Sequence, residues 1–249
     1  MLKNQRHLQL IHYIDLHQFA KVEELAQLVD VSEITVRRDI NELDEKGLVH
    51  KVHGGATSIT IRDYSNDIEL HTRNDVNSDI KDQLAKSAAS LVKTNAVVYL
   101  DAGTSVSRMI PYLKDKHVTV YTHGLHHVEA LVQYGIECYV IGGFVKPTTR
   151  AAVGRLSTQY LKQMNFDQAF IGFNALDVDF GFSTPDEMEA VTKSTIIAQS
   201  SQVYFIGDSS KFNKKSSVRF ASSNDGVLIT DQDPGKAYNN YDIKIQGER

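Results

Sequence analysis

Residues 22–56 read VEELAQLVDVSEITVRRDINELDEKGLVHKVHGGA. Apolar side chains recur in the first part of this stretch at the spacing of an amphipathic helix: Val22, Leu25, Ala26 and Val29. Ser32 precedes a further helical run, where its hydroxyl can accept a hydrogen bond from an otherwise unpaired N–H of the first turn. Residues 30–32 are therefore expected to form a tight turn between two helices. A similar stripe predicts another helix upstream: Leu10, Ile11 and Ile14.

The helix after Ser32 has a polar face of the kind that contacts DNA. Its apolar face consists of Val36, Ile40 and Leu43, and its opposite face presents Ile34, Thr35, Arg38, Asn41 and Glu45, with Arg37 on the flank. Arginine can bridge guanine O6 and N7, asparagine can pair with adenine, and an apolar tip can touch a thymine methyl group. Exposing Ile34 brings no stability, which favours a partner for this face. The pattern alone also allows a three-helix domain whose charges are merely solvated.

The run LVHKVHGGA at residues 48–56 alternates like a β-strand and ends in a glycine pair. This pattern predicts a hairpin beside the helix, with Lys51 and His53 projecting from it. Three helices followed by such a hairpin form a winged helix-turn-helix.

These residues resemble the signature of the DeoR family of bacterial repressors: a V-S-x-x-T-V-R-R-D core, then L-x-x-x-G and a terminal H-G-G-A. The resemblance implies that residues 32–46 form the recognition helix in the major groove and that Arg37, Arg38 and Lys51 contact DNA. Asp39 belongs to the motif, and we expect it to orient an arginine rather than to meet the polyanion. Pattern and resemblance together give the predicted DNA-binding residues: Ser32, Ile34, Thr35, Arg37, Arg38, Asn41, Lys51 and His53.

Charge gives no support to DNA binding. The chain has a formal net charge of −4, and its first 56 residues contain seven Lys and Arg against nine Asp and Glu. Non-specific DNA affinity comes mainly from cations that neutralise phosphates. Binding therefore has to rest on a few well-placed cations, multiplied by a homo-oligomer, a dimer or a tetramer, on repeated half-sites of double-stranded operator DNA.

The chain reads as a cytoplasmic protein. Its single cysteine, Cys138, lies in the apolar run CYVI and has no partner for an intrachain disulfide, which suits a reducing compartment. The N-terminus has no continuous apolar segment of the secretory kind, and no apolar run of about 18 residues occurs. We therefore expect neither secretion nor membrane insertion.

The length of 249 residues favours two domains. We assign residues 1–57 to the winged helix-turn-helix, the polar residues 58–78 to a linker and residues 79–249 to an α/β domain with a Rossmann-like, mainly parallel sheet. Strand-like runs alternate with helical stretches in that last part, which predicts a sheet covered on both faces. The runs are AVVYL, HVTVYT, ECYVIGG, QAFIGF, QVYFIGD and GVLIT.

Ligands of such sheets bind beyond the carboxyl ends of the strands. AVVYL ends in Asp101-Ala102-Gly103-Thr104-Ser105 before a helical segment, which places free N–H groups and two hydroxyls where an anion is favoured. An ordinary helix cap is the alternative for this turn. Polar or glycine residues also follow the other runs: Thr122, His123, Gly142, Gly143, Gly172, and Asp208 to Lys211.

The resemblance to the DeoR family continues here, in LDAGTS, IGG, FDQAFIGFNAL, GFST at residues 181–184, Glu187, Lys193 and DSSK at residues 208–211. The family's sensor domain is similar in fold to ribose-5-phosphate isomerase and glucosamine-6-phosphate deaminase. This implies a phosphorylated sugar as allosteric effector, with its phosphate at residues 103–105 and Lys193 as the assisting cation. His123 departs from the asparagine common in the family. The predicted effector-binding residues are Asp101, Gly103, Thr104, Ser105, Thr122, His123, Gly142, Gly143, Gly172, Lys193 and Lys211.

Other site classes receive less support. Neither G-x-G-x-x-G nor G-x-x-x-x-G-K-[ST] occurs, so no NAD or ATP cofactor is indicated. His123, His126 and His127 allow a metal site, but no cysteine or carboxylate completes a ligand set nearby. We expect no resident metal.

Two other functions remain as alternatives. The related deaminases carry Gly-x-x-Asp-Gly-His where this chain has IGFNALDVDFGF without histidine, which disfavours catalysis, although Asp177 and Asp179 leave it open. A metabolite-binding adaptor would need the winged helix to bind protein instead of DNA, and Arg37, Arg38 and Lys51 argue against that use.

Overall fold

A computed structural model describes residues 3–17, 19–46, 48–52, 54–58 and 77–246 of the protein. The chain divides into two compact units, Met1–Tyr64 and Ser65–Arg249. The predicted linker, residues 58–78, lies for the most part outside the described residues, and its bounds stay a prediction.

The described residues of the first unit form three helices and a small antiparallel sheet. The helices are α1 (Lys3–His17), α2 (Val22–Val29) and α3 (Glu33–Glu45). The strands are β1 (Phe19–Lys21), β2 (His50–Val52) and β3 (Gly55–Thr57), in the order β1-β3-β2. The predicted hairpin is confirmed as β2 and β3. The sequence did not indicate β1, which pairs with the far side of β3.

The predicted apolar faces form the core of this unit. Its buried side chains include Leu10, Ile11, Ile14, Val22, Leu25, Ala26, Val29, Val36, Ile40 and Leu43. Ser32 caps α3, where its hydroxyl accepts a hydrogen bond from the N–H of Thr35 at 3.3 Å. The preceding turn contains Asp30 in the left-handed region at φ 50°, which aspartate adopts more readily than most residues. The predicted cap and turn are confirmed.

The second unit contains a seven-stranded parallel sheet. Its strands are β4 (Val97–Leu100), β5 (Thr119–Thr122), β6 (Glu137–Val140), β9 (Gln168–Gly172), β12 (Val203–Ile206), β14 (Val227–Thr230) and β15 (Asp242–Ile245). They follow the spatial order β15-β14-β12-β9-β4-β5-β6, with every neighbouring pair parallel. The chain order reverses between β4 and β9. The predicted Rossmann-like α/β fold is confirmed.

Helices, short 3₁₀ turns and two smaller sheets complete this unit. The helices are α4 (Ser78–Ser90), α5 (Thr104–Ser107), α6 (Val128–Gln133), α7 (Arg155–Leu161) and α8 (Glu187–Ala198). The 3₁₀ turns are Ile110–Leu113, Leu125–His127, Ser209–Lys211 and Lys236–Tyr238. One small sheet contains β10 (Ala175–Asp177), β11 (Gly181–Thr184) and β13 (Val218–Ala221), and the other pairs β7 (Phe144–Val145) with β8 (Ala152–Val153). The sequence pattern did not predict either small sheet, or β15.

Both faces of the large sheet are buried at its central strands β9 and β12, which explains why these strands are continuously apolar. Leu100 packs on one face, in a cluster with Leu84 and Ala88 of α4. Tyr99 points to the other face, in a cluster with Ile196 of α8 and side chains of the small antiparallel sheet. Within the described ranges, no helix is long and apolar enough to cross a membrane.

Candidate DNA interface and effector pocket

The recognition face of α3 is exposed. Ile34 is 80% exposed, and the side chains of Arg37 and Arg38 are 58% and 80% exposed. Arg37 also meets Asn41 and Lys51 in one groove of about 180 Å³. Helix and hairpin thus present a shared surface, which pattern alone could only suggest.

Contacts at the base of the hairpin hold it beside α3. The N–H of Lys51 donates to the Asp44 carboxylate at 2.9 Å. A Cβ on Gly55 would overlap the carbonyl oxygen of Ala20, and Gly54 adopts φ +81°. The glycine pair is therefore required by a close backbone approach and a left-handed turn. Lys51 itself remains exposed, whereas His53 lies outside the described residues.

Acidic residues of α3 are paired with cations. Glu33 meets Arg37 at 3.2 Å, and Glu42 meets Lys3 of α1 at 2.6 Å and Arg38 at 3.8 Å. These pairs lower the repulsion that the carboxylates would exert on a polyanion such as DNA.

Asp39 is buried and holds an arginine, as expected for this residue. The arginine is Arg6 of α1, whose Nε lies 2.6 Å from the carboxylate, and His7 Nε2 lies 3.0 Å from it. Burial by itself would raise the pKa of Asp39, but the bonds from Arg6 and His7 outweigh it, so the pKa lies below its ordinary value. Asp39 therefore fixes α1 against α3 and does not orient an arginine of the recognition face.

Ser32 and Thr35 have structural partners. The two hydroxyls lie 3.0 Å apart, and Ser32 also caps α3. Ser32 is exposed and Thr35 half-buried, so contact with DNA stays a prediction for both.

The second unit has a pocket where the strand order reverses, beyond the carboxyl ends of β4, β9 and β5. Such a switch point is where ligands of doubly wound sheets bind. The pocket brings together five of the predicted residues: Asp101, Gly103, His123, Gly172 and Lys193. Its lining is completed by Ala102, Thr149, Asn174 and Glu189.

A buried ion pair forms the centre of this pocket. Lys193 Nζ lies 2.6 and 2.7 Å from the two carboxylate oxygens of Asp101 and 3.0 Å from the carbonyl oxygen of Gly172. The N–H of Gly172 donates back to Asp101 at 3.0 Å. Burial by itself would raise the pKa of Asp101, but the neighbouring Lys193 and His123 and the hydrogen bond from Gly172 together outweigh it and keep the pKa below its ordinary value. In this geometry Lys193 has acceptors within the chain for all three of its protons.

His123 is held neutral above this pair. Its Nδ1 is hydrogen-bonded to the Tyr99 hydroxyl, and its Nε2 lies 3.9 Å from Asp101. Burial lowers the pKa of His123 more than the Asp101 charge raises it. A neutral imidazole can offer a donor or an acceptor to a sugar hydroxyl, depending on the tautomer.

The predicted anion turn lies at the start of α5. Gly103 is the N-cap residue of this helix and makes no side-chain cap hydrogen bond. Thr104 and Ser105 follow it and are buried. Unpaired N–H groups at a helix start favour an anion, although a helix of four residues has only a small dipole.

Six predicted effector residues do not line the pocket: Thr104 and Ser105 of the anion turn, and Thr122, Gly142, Gly143 and Lys211. The Thr122 hydroxyl donates to the carbonyl oxygen of Leu100 at 2.8 Å and lies 2.9 Å from His127 Nδ1. Lys211 donates to the carbonyl of Phe173 at 2.7 Å. Gly142 and Gly143 follow the edge strand β6, where a Cβ on Gly143 would overlap the Ser157 hydroxyl. None of these six is among the residues that face the cavity, and a contact of any of them with an effector stays a prediction.

Sequence reasoning missed three polar residues of the lining. Glu189 lies four residues before Lys193 on α8, a spacing that places both on one helix face, so it could have been found. Asn174 follows the end of β9 by two residues and obeys the strand-end rule. Thr149 belongs to the β7–β8 turn, for which the sequence carried no signal.

Of the residues behind the enzyme and metal alternatives, His123 lines the pocket, whereas Asp177, Asp179, His126 and His127 are not among its lining residues. Asp177 accepts the N–H groups of Asp179 and Phe180 and pairs with Lys215 at 3.3 Å. His126 and His127 contact each other edge to face. Among the described residues, no group of three or more His, Cys, Asp or Glu side chains is arranged to hold a metal ion.

Comparison with known families gives two matches along the chain. The profile described as the DeoR-like helix-turn-helix domain matches residues 6–62. The profile described as the DeoR C terminal sensor domain matches residues 76–232.

Relatives that match this chain over most of their length include both an activator and a repressor. The transcriptional regulator FruR of Bacillus subtilis is 36% identical over 245 residues, covering 98% of this chain and 97% of that protein. The L-fucose operon activator of Haemophilus influenzae is 31% identical, covering 88% and 87%. The lactose phosphotransferase system repressor of Staphylococcus epidermidis is 30% identical, covering 85% of each chain. Among solved structures, ribose 5-phosphate isomerase A of Methanocaldococcus jannaschii matches 56% of both chains with a TM-score of 0.42 and 19% identity.

Proposed function

The chain belongs to the DeoR family of DNA-binding transcriptional regulators, and on this premise we propose that it represses a carbohydrate-utilisation operon and that a phosphorylated sugar controls its operator affinity. The protein acts in the cytoplasm, where the operon lies. It has no catalytic activity and needs no cofactor.

One observation carries the proposal: the polar pocket at the switch point of the sensor sheet lies in a chain that also exposes a DNA-reading helix. A regulator needs a metabolite site separate from its DNA site, and the two must be coupled. The pocket offers carboxylate, amide, hydroxyl and imidazole groups at its lining, which is the chemistry that recognises a polyhydroxylated molecule.

The DNA half of the proposal assigns roles by geometry. Arg38 and Asn41 face bases from the exposed side of α3, and Ile34 contacts a thymine methyl group. Arg37 and Lys51 meet phosphates from the groove between α3 and the hairpin. Two or four copies bind repeated half-sites, and oligomerisation supplies the cations that a single copy lacks.

The sensor half places the effector's phosphate at the start of α5. The first N–H groups of that helix and the hydroxyls of Thr104 and Ser105 are its donors. Lys193 supplies positive charge nearby, and it reaches the phosphate only by exchanging one of its bonds to Asp101 or Gly172. His123, with its lowered pKa, serves the sugar hydroxyls.

Isomerase or deaminase chemistry is the alternative that the pocket has to be weighed against. It needs a carboxylate base aimed at a substrate carbon, with an acid partner. Both carboxylate oxygens of Asp101 are engaged by Lys193, which favours a binding role. Assay of the purified protein for loss of ribose 5-phosphate or glucosamine 6-phosphate separates the two functions, since a regulator leaves both unchanged.

The main experiment is fluorescence anisotropy with DNA from just upstream of the protein's own operon. The protein is titrated at fixed salt with glucose 6-phosphate, fructose 1-phosphate, ribose 5-phosphate and glucosamine 6-phosphate, each beside its unphosphorylated sugar. We expect one phosphate to change the operator Kd by roughly 5- to 150-fold and its free sugar to leave it unchanged. Sequence-specific binding that no compound alters would contradict the sensor role, and binding without sequence preference would contradict the regulator role. An operon reporter distinguishes repression from activation.

A further inference from the structure

The β7–β8 hairpin and its turn, residues 144–153, form a flap beside the effector pocket. The N–H of Lys146 donates to the carbonyl of Ala151 at 2.9 Å, which closes the turn. The outgoing strand is attached to the strand end after β5, since the N–H of Ala152 donates to the carbonyl of His123 at 2.8 Å. The flap is therefore anchored at one side to a residue that lines the pocket.

The tip of the flap is anchored at the other side to the start of α8. Lys146 Nζ lies 3.0 Å from Asp186 and 3.3 Å from Glu189. The Thr149 hydroxyl donates to the same Glu189 oxygen, Oε1, at 2.9 Å. Lys146, Thr149 and Glu189 are each at least nine-tenths buried, so these contacts are shielded from solvent.

Glu189 belongs to the flap contacts and to the pocket at once. It lines the cavity together with Thr149 and Lys193. An ionised carboxylate only accepts hydrogen bonds, and when buried it needs donors to offset its lost hydration. The flap provides those donors through Lys146 and Thr149. A sugar carries hydroxyl donors of the same kind.

The cavity is too small to hold the flap side chains and a sugar at the same time. Its free volume is about 10 Å³, roughly the space for the centre of one water molecule. An effector therefore enters only when lining side chains move, and the flap contributes Thr149 to that lining from the turn between two strands of two residues each.

We propose that Glu189 is a specificity-determining residue for the effector, and that the flap occupies it through Lys146 and Thr149 until the hydroxyl groups of the sugar replace them. This inference rests on the proposed sensor function and adds to it the residue that reads the hydroxyl end of the ligand. It also states that flap opening precedes or accompanies effector binding.

The proposal predicts that substitutions of Lys146 and of Glu189, the two members of one ion pair, change the apparent effector affinity in opposite directions. Lys146 does not line the pocket, so Lys146→Met loosens the flap without removing a ligand contact. The apparent affinity then rises because a larger fraction of the protein is competent to bind. Glu189→Met loosens the flap as well, but it also deletes the acceptor for the sugar hydroxyls. A purely structural ion pair would give the same direction for both.

The test measures the effector concentration that half-reverses operator binding, using the compound of the anisotropy panel that acts on the wild type. We expect about a 10-fold lower concentration for Lys146→Met and at least about a 10-fold higher one for Glu189→Met. Lys146→Arg restores the wild-type value, and Lys86→Met, at an exposed position of α4, leaves it unchanged. The operator Kd of Lys146→Met without effector equals that of the wild type.

Hydrogen exchange gives a second readout that needs no ligand. Backbone amides of residues 144–153 exchange faster in Lys146→Met than in the wild type, while the amides of β4 and β9 keep their protection. The inference is overturned if both variants shift the effector concentration in the same direction, or if flap exchange is unchanged in Lys146→Met. A wild type that responds to no panel compound overturns the proposed function itself, which is a different outcome.

Discussion

Asp101 at the end of β4 holds the ammonium group of Lys193 on α8 through both of its carboxylate oxygens, at 2.6 and 2.7 Å. The two residues are 92 positions apart in the sequence, and both are almost fully buried. Their contact joins β4, a central strand of the large sheet, to α8, in the centre of the proposed effector pocket.

Removing one partner of this pair should be costly. We expect Lys193→Met to lower the free energy of unfolding of the sensor unit by about 3 to 5 kcal/mol, because Asp101 would be left buried without its counter-charge. The double variant Asp101→Leu/Lys193→Met should recover much of that loss, since no isolated charge remains. Urea unfolding of wild type and variants gives the values. Equal losses in the single and double variants would contradict this account.

The two kinds of DNA contact should separate by sequence and salt. We expect Arg38→Ala to weaken operator binding by about 1 to 3 kcal/mol and to relax discrimination at one base pair, because we propose that Arg38 faces the bases. Lys51→Met should weaken operator and unrelated DNA alike and reduce the slope of log K against log salt by about 1, since one phosphate contact is lost. Anisotropy titrations over a salt series check both. Unchanged operator affinity in both variants would refute the assigned surface.

The anion turn should be separable from DNA binding. We expect Thr104→Val to abolish the effector response, because the variant keeps the shape of the side chain but loses the hydroxyl that we propose as a donor to the phosphate. Operator affinity without effector should not change. Thr195→Val, at a half-buried position of α8 outside the pocket lining, serves as the matched control. A Thr104→Val protein that responds at the wild-type effector concentration would remove Thr104 from the site.

The buried histidines should make the sensor unit sensitive to mild acid. Burial lowers the pKa of His127 well below its ordinary value, and the neighbouring His126 and His123 lower it further. The unfolded chain takes up a proton near pH 6.5 while the folded chain does not, so stability is complete above that pH and falls as the pH drops below it. We expect His127→Asn to reduce this fall by up to about 1.4 kcal/mol per pH unit.

Urea midpoints between about pH 7.5 and 5.5 measure the fall. His117→Asn, an exposed position at φ +52° where asparagine is well tolerated, should keep the wild-type dependence on pH. The same slope in His127→Asn and wild type would show that His127 titrates alike in the folded and unfolded chains.

The sequence by itself determined the elements and their class. The helical spacing of apolar residues and the Ser32 cap predicted α2 and α3, and strand-like alternation before a glycine pair predicted the hairpin. These signals are local: the Ser32 hydroxyl accepts from an N–H three residues away, and an apolar stripe is recognised within its own helix. The alternation of strands and helices predicted a parallel sheet, and the strand-end rule selected Asp101, His123 and Gly172 before any distance was known.

Only the tertiary structure decided which of those residues meet and what else joins them. The sequence placed Asp39 beside an unspecified arginine, and folding selected Arg6 from another helix. The sequence predicted Asp101 as an effector-binding residue, and in the same way it predicted Thr122, Gly142, Gly143 and Lys211. These four residues do not line the pocket. The sequence had no signal for Thr149, which reaches Glu189 from a surface turn. The physical reason is range: propensity and periodicity act over a few residues, whereas a pocket is formed by contacts between residues tens of positions apart, whose geometry is set by packing.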